Sequence, residues 1–340
     1  MLLTRRDLLR TCGVAGAATL APTATAAATA GPDDWFGWLR AHRRQVAAVL
    51  DDGRGGRVAH RPDERQPLAS AVAVVHLGAY ARAVEAGAAR PEERVGVGEW
   101  ERYHLDVGGG AHQASLRALG IRSTNGVVAD DPHHAVTLDD LVAAAVRHGD
   151  HAAADFLRHR LGEQALRETA ARWPTLPVPE VLGEVLRLVL GRRVDVRRYL
   201  DDPRLQLEVI GRLPDVPRSP EGRRPWAGGT WTGTAAGLNR AHRALTAVPL
   251  ARAHLERADA DLGHPLPPGV AGVGFAGGSL PGVVAVGFGV RWDDGSVGSA
   301  AVLVEEVDEP WAGRAGELAE LVRRALLEPV VLREFRASLS

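Results

Sequence analysis

Apolar and polar positions alternate along this chain in two different periods, and the change from one to the other marks out its parts. Near the start of the mature sequence, Asp33 and Asp34 precede Trp35, Trp38 and Leu39, apolar at i, i+3 and i+4, which predicts a capped amphipathic helix. Val46 to Leu50 and Arg57 to His60 then flank the Gly-rich run Asp51-Asp52-Gly53-Arg54-Gly55-Gly56, the signature of a hairpin. Small and branched apolar residues run unbroken from Ser70 through Tyr80 to Val84, a buried helix entered from an extended segment because Pro67 biases Gln66 away from the α region. The segment from Pro91 to Gly110 reads as loop with one short strand. Val136 to Arg147 is a helix with Thr137 as cap and Asp140 closing an acidic capping box, and Ala152 to Leu161 is a second, stopped by Gly162.

Residues 163 to 250 alternate helical stretches with proline-rich breaks, Pro174 to Pro179 and Pro214 to Pro225 among them, and Thr232 to Leu238 caps a helix reaching about Leu245. From Val270 the period becomes two: Val283 to Trp292, an Asp293-Asp294-Gly295 turn and Val297 to Val304 form a strong hairpin, and one last helix covers Trp311 to Leu327. Strands at both ends around a helical middle make an α+β pattern. The chain ends must meet in one antiparallel sheet, a lobe of about residues 31–65 and 265–340, with a helical lobe of about 66–264 beside it in a single domain.

Composition changes this picture at two points. The chain has 340 residues and a net charge of −1, which excludes a bulk electrostatic case for nucleic acid or an anionic membrane, and all 41 Lys+Arg side chains are arginine. Residues 1–30 read as a twin-arginine export signal: Thr4-Arg5-Arg6-Asp7-Leu8-Leu9-Arg10, an apolar run from Val14 to Leu20 too short to span a bilayer, and Ala28-Thr29-Ala30 as cleavage site. Cys12 is the only cysteine, so a mature chain without the signal has neither disulfide nor thiolate metal ligand. The expectation is an exported, extracellular or envelope-associated protein with no transmembrane anchor and no cofactor, and with a small-molecule or cell-wall-derived ligand as partner; its oligomeric state is open.

The chemistry centres on Pro67-Leu68-Ala69-Ser70. A serine in the first turn of a buried helix lies near free backbone N–H groups, as a cap or as an activated nucleophile. The stretch resembles the active-site helix entry of class A β-lactamases and related penicillin-recognising serine hydrolases, where the serine opens a Ser-x-x-Lys motif. Here the lysine's place, one turn on, is taken by Ala73. Arginine, always protonated, cannot stand in elsewhere as the missing base.

Two further motifs follow from the resemblance. Gly149-Asp150-His151 stands where the family has Ser-Asp-Asn: the hydroxyl is lost at Gly149, Asp150 is kept in what looks like a structural role, and His151 replaces the amide. Ala276-Gly277-Gly278-Ser279 stands where the family has Lys-Thr-Gly, with Ala276 in place of the second lysine and Gly277, Gly278 and Ser279 lining the cleft. The resemblance puts the oxyanion hole at the backbone N–H groups of Ser70 and Ser279. The family's Ω-loop glutamate has no clear equivalent, Glu180 and Glu184 lying in the right region without its context.

Three readings result. The first is a β-lactamase-like serine hydrolase that has lost its serine–lysine chemistry and persists as a pseudoenzyme or binding protein. The second is an active hydrolase of an ester, amide or β-lactam in which His151, oriented by Asp150 or another acid, is the base for Ser70; a solvent-facing His151 argues against it. The third is a partner-binding envelope protein marked by a large exposed apolar patch. His76 points to another face of the Ser70 helix, Arg291 is a candidate carboxylate holder, and Gly108 to His112 is a cleft-edge turn or a plain loop. Gly272-x-Gly274-x-x-Gly277 leads into a hairpin, not a helix, and is set aside as a dinucleotide fingerprint, and His133, His134, His148 and His151 with Asp130 and Asp131 lack metal-ligand spacing.

Overall fold

A computed structural model describes residues 34–256 and 265–340. The proposed export signal and Cys12 therefore lie outside the described residues. The chain forms two compact units, one of residues 79–166 and 179–218, the other of residues 34–78, 167–178 and 219–340 within the described range.

The second unit is built on the sheet that the two ends of the chain were expected to make. Its strands are β1 (Val46–Asp51), β2 (Arg57–His60), β7 (Val270–Leu280), β8 (Val283–Trp292) and β9 (Val297–Glu305), in the order β2-β1-β9-β8-β7. Every neighbouring pair is antiparallel, and β1 meets β9 in a continuous register from Val46↔Val304 to Asp51↔Ser299. Four short strands, β3 (Arg65–Pro67), β4 (Arg94–Gly96), β5 (Ala135–Thr137) and β6 (Thr232–Thr234), pair as β3 with β6 and β4 with β5. The first helix, Trp35–Ala41, is capped as its sequence predicts, Asp34 Oδ1 accepting the Gly37 amide at 2.7 Å.

One face of the sheet carries the large apolar core, in which Leu50, Val284, Val302, Leu318 and Phe335 are buried together. The other receives helix Ala235–Thr246, which sits close because two strand residues have no side chain: a Cβ at Gly287 would collide with His242, and one at Gly289 with Thr246 Oγ1. This corrects the lobe boundaries expected from sequence. Residues 66–78, 167–178 and 219–256 go with the sheet, because β6 pairs with β3 and this helix packs on β8 and β9.

Other elements depart locally from their sequence patterns. Ser70 lies in a 3₁₀ turn, Ala69–Ala73, that runs on into helix Val74–Glu85. The Pro91–Gly110 segment contains a helix, Val97–Glu101, as well as a strand. The second proline-rich break holds helix Pro220–Gly228, since proline in the first turn gives up an amide that has no helical partner anyway. The helix expected over Trp311 to Leu327 is two, Glu309–Ala312 and Ala315–Leu327, divided by Gly313-Arg314, and a further helix, Pro329–Leu339, follows it. In the other unit, helix Leu138–Arg147 carries the expected capping box between Thr137 and Asp140, and helix His151–Leu161 begins one residue before its predicted start.

His242 is the sheet unit's exposed point in acid. It is fully buried, neither ring nitrogen has a hydrogen-bond partner among the described residues, and burial pushes its pKa down to about 3. The unfolded chain takes up a proton near pH 6.5 (about the ordinary histidine value), whereas the folded chain resists it, so this residue's contribution is present above that pH and lost as pH falls toward the folded value. His242→Leu is expected to flatten the decline in unfolding free energy between neutral pH and pH ~4, by roughly 1.4 kcal/mol per pH unit, in urea titrations.

Candidate active site

The residues singled out by sequence divide between the units, and each group has its own local geometry. In the sheet unit, Ser70 is half-buried on its 3₁₀ turn. The residue before it, Ala69, has φ +45°, a left-handed conformation that costs about 1–3 kcal/mol for a residue with a Cβ. Trp231 holds it there: its indole Nε1 donates to the Ala69 carbonyl at 3.2 Å, while its own carbonyl accepts the Leu68 amide at 3.3 Å. The strained peptide thus has a clamp on each side of the residue that leads into the serine.

Strand β7 closes on the same turn. A Cβ at Gly278 would fall 2.5 Å from the Ser70 backbone nitrogen and 2.7 Å from its Cβ, so only glycine lets the strand approach the serine this closely. β7 is an edge strand of the sheet, and Glu256 meets it at Gly274 in an isolated antiparallel bridge. Gly277 pairs with Val286, Gly278 with Ala285 and Ser279 with Val284, and Ser279 is exposed at the strand end. Both places the resemblance assigns to lysine are buried alanines, Ala73 7% and Ala276 2% exposed. Arg291 does not replace them: it makes a two-pronged pair with Glu256, at 2.7 and 3.1 Å, and donates to the Ala271 carbonyl.

In the other unit, Asp150 is a structural group. Its Oδ1 accepts the Ala153 amide at 3.1 Å, capping helix His151–Leu161, and its Oδ2 accepts from His112 Nδ1 at 2.9 Å. This corrects the expectation that Asp150 orients His151, because both its oxygens serve other donors. His112 is itself buried, with Nε2 3.5 Å from Glu101 Oε1, the ring of His104 stacked on it at 4.1 Å and the edge of Trp100 at 4.7 Å. Glu101 Oε1 also accepts the Ala129 amide at 2.5 Å. Burial alone would push the His112 pKa down, but the charges and hydrogen bonds of Asp150 and Glu101 outweigh it and raise the pKa to about 9. Burial would likewise raise Asp150, and the His112 charge and hydrogen bond instead hold it well below the carboxylate range.

A buried imidazolium between two carboxylates was not legible in the sequence beyond the singling out of Gly108 to His112, since the partners come from three separate segments. It forms one wall of a cavity of about 420 Å³ that Gly108, Gly110, Gln113, Asp150 and His151 also line. His151 is exposed, the position that argues against it as a base. Among the described residues no cluster of three or more His, Cys, Asp or Glu side chains could hold a metal ion.

The glutamates of the Ω-loop region are engaged in ion pairs. Glu184 is buried and meets Arg187 at 2.7 Å, and Glu180 meets Arg158 at 3.4 Å, with burial raising its pKa. The residue missed by sequence is Asp155, which accepts the Val181 and Leu182 amides at 2.9 and 2.5 Å and so caps helix Val181–Leu190 from a neighbouring helix; burial raises its pKa to about 7.

Geometry and topology define a class of protein: an α+β chain with an edge strand closed on a serine turn. Comparison with known proteins gives that class its name. The β-lactamase from Sphaerobacter thermophilus DSM 20745 is 19% identical, with a TM-score of 0.54 over 86% of this chain and 97% of that one. A variant of the class A β-lactamase of the last common ancestor of Gram-negative bacteria is also 19% identical, with a TM-score of 0.52 over 86% of this chain and 95% of that one. PBP-A is 15% identical, with a TM-score of 0.52 over 88% and 96%. No curated protein matches the chain. The fold is therefore β-lactamase-like, and residues 38–176 match the β-lactamase enzyme family, so the resemblance read from the sequence holds.

Two outcomes test this geometry. Gly278→Ala is expected to displace the Ser70 turn and destabilise the protein by about 1–3 kcal/mol in denaturant unfolding, whereas exposed Ser279→Ala leaves it within ~0.5 kcal/mol. Because folding raises the His112 pKa above its ordinary ~6.5, the contribution of that residue is complete below this pH and is lost as pH rises toward its folded value. His112→Gln is expected to lower stability at pH 6 and to remove the decline that the wild type shows between pH ~6.5 and ~9.

Proposed function

We propose that the chain is an exported β-lactamase-like protein whose serine–lysine chemistry has been lost, and that it acts in the cell envelope as a pseudoenzyme binding a small, cell-wall-derived ligand. The observation that carries this reading is Ala73, one turn beyond Ser70 and buried, in a chain with no lysine anywhere. A hydroxyl without a general base loses roughly 10²- to 10⁴-fold in rate, and the oxyanion hole together with substrate binding retains about 10³- to 10⁴-fold over water in crippled serine proteases. That remnant suits a binding site for a carbonyl compound better than a turnover enzyme.

Export is supported by the twin-arginine pattern at Arg5-Arg6 and the small residues Ala28-Thr29-Ala30. No helix among the described residues is long and apolar enough to cross a membrane. The large exposed apolar side chains among them, Leu207, Val248 and Val330, lie far apart in sequence, which gives little support to an envelope protein organised around one broad apolar patch.

A second reading, an active serine hydrolase using Ser70 with a non-lysine base such as His151, is favoured by one observation: the strained Ala69 and the close approach of Gly278 are both kept around the serine. Whole-protein mass spectrometry separates the two. After incubation with a fluorophosphonate or with a penicillin, the wild type is expected to show no mass increase over Ser70→Ala, and nitrocefin to remain unhydrolysed. A Ser70-dependent adduct would reject the pseudoenzyme reading in favour of the second, and equal loss of its formation in His151→Ala would identify the base.

A further inference from the structure

The near-neutral net charge conceals a strong local separation. Helix Trp35–Ala41, the turn Arg43–Gln45, strand β2 and helix Pro329–Leu339 together carry six arginines, Arg40, Arg43, Arg44, Arg57, Arg333 and Arg336, against one carboxylate, Glu334. All six arginines are exposed. Among the described residues none of them has a carboxylate oxygen within the 4.0 Å of an ion pair, in a protein where arginines elsewhere are repeatedly paired.

Contacts within the sheet unit gather these elements on one face. Arg43 Nε donates to the Ser338 carbonyl at 3.1 Å, Arg336 donates to the Arg57 carbonyl at 2.5 Å, and a ring nitrogen of His60 lies 2.8 Å from the Arg43 carbonyl. Phe36 and Phe335 pack edge to face at 6.0 Å beneath them. β2 is the other edge strand of the sheet, and Arg57 on it is exposed. On helix Pro329–Leu339 the inward face is committed to the core through Leu332, Phe335 and Leu339, and the outward one presents Val330, 64% exposed, with Arg333 one turn on.

We infer that this face docks on an anionic lipid surface, with the arginines on headgroup phosphates and Val330 at the level where acyl chains begin. Guanidinium and phosphate match in charge and in forked geometry, and several arginines acting together are what weak surface electrostatics need at physiological salt. An exposed valine one turn from Arg333 distinguishes a membrane from a dissolved polyanion, which has nothing apolar to offer it. The docking is peripheral and reversible. It stands apart from the chemistry proposed for Ser70, so either can fail alone.

The test compares the full chain with Arg40→Gln/Arg44→Gln/Arg57→Gln/Arg333→Gln and, separately, Val330→Ser, in flotation with vesicles. Mixed phosphatidylglycerol–phosphatidylcholine vesicles, pure phosphatidylcholine vesicles and soluble inorganic polyphosphate are the three probes, and thermal unfolding verifies that both variants are folded. The inference expects binding to the mixed vesicles that weakens with salt, falls at least tenfold in the fourfold variant and falls several-fold in Val330→Ser. Equal partitioning of the fourfold variant and the wild type would overturn it. So would arginine-dependent binding to polyphosphate with none to vesicles, which would make the partner a dissolved polyanion.

Discussion

The pairing of β1 with β9 is the contact on which the remaining geometry hangs. Residues some 250 positions apart meet in register, from Val46↔Val304 to Asp51↔Ser299, and this joins the β7-β8-β9 meander to the N-terminal strands in one sheet. Such a long-range pairing closes a very large loop, so its entropy must be offset by the apolar burial it completes. Once made, it fixes β7 as the outer strand, and the outer strand is what reaches the serine turn. A one-residue slip of β7 would replace Gly278 beside Ser70 with a residue bearing a side chain or turn the opposite face of the strand toward it. The site therefore depends on the register of β7 against β8, where Gly278 pairs with Ala285.

Around that serine, backbone features and side-chain chemistry have had different fates. The left-handed Ala69, the Trp231 clamp and the side-chain-free Gly278 are all present, and each is an interaction of the main chain or with it. The positions to which the resemblance assigns proton transfer and a substrate's charge carry Ala73, Gly149 and Ala276. Asp150 is kept, and its surroundings explain why: it caps a helix and balances a buried imidazolium, so removing it would leave a charge uncompensated in the interior, at about 3–5 kcal/mol. Retention of Asp150 thus follows from folding alone and carries no information about catalysis.

The legibility of the chain followed the range of the forces involved. Elements set by local periodicity and capping, such as β8, β9 and helix Leu138–Arg147, lie where their patterns put them. Three-residue strands such as β3 and β6 have no period to read and exist only because a distant partner supplies the hydrogen bonds. The helix Pro329–Leu339, beyond the expected last helix, starts at a proline that suits a first helical turn. At the site, Ser70 and the glycines of β7 were readable from their motif context. The Glu101–His112–Asp150 cluster was not, since what makes it chemically unusual is burial and the meeting of separate segments.

Absence of lysine from the whole chain raises the question of whether the changes at the serine site are a by-product of coding bias. The way the chain uses arginine answers it. Arg291 with Glu256, Arg324 with Glu328 and Arg314 with Glu317 are forked pairs in which guanidinium supplies the geometry and the charge together. Where only a cation is needed, arginine serves, and a drift away from lysine would leave it in place. At positions 73 and 276 the side chain is instead alanine, buried, with neither charge nor donor. A compositional bias acting on a functioning charge would conserve the charge. Alanine at both places is therefore not what a drift from lysine to arginine alone would leave.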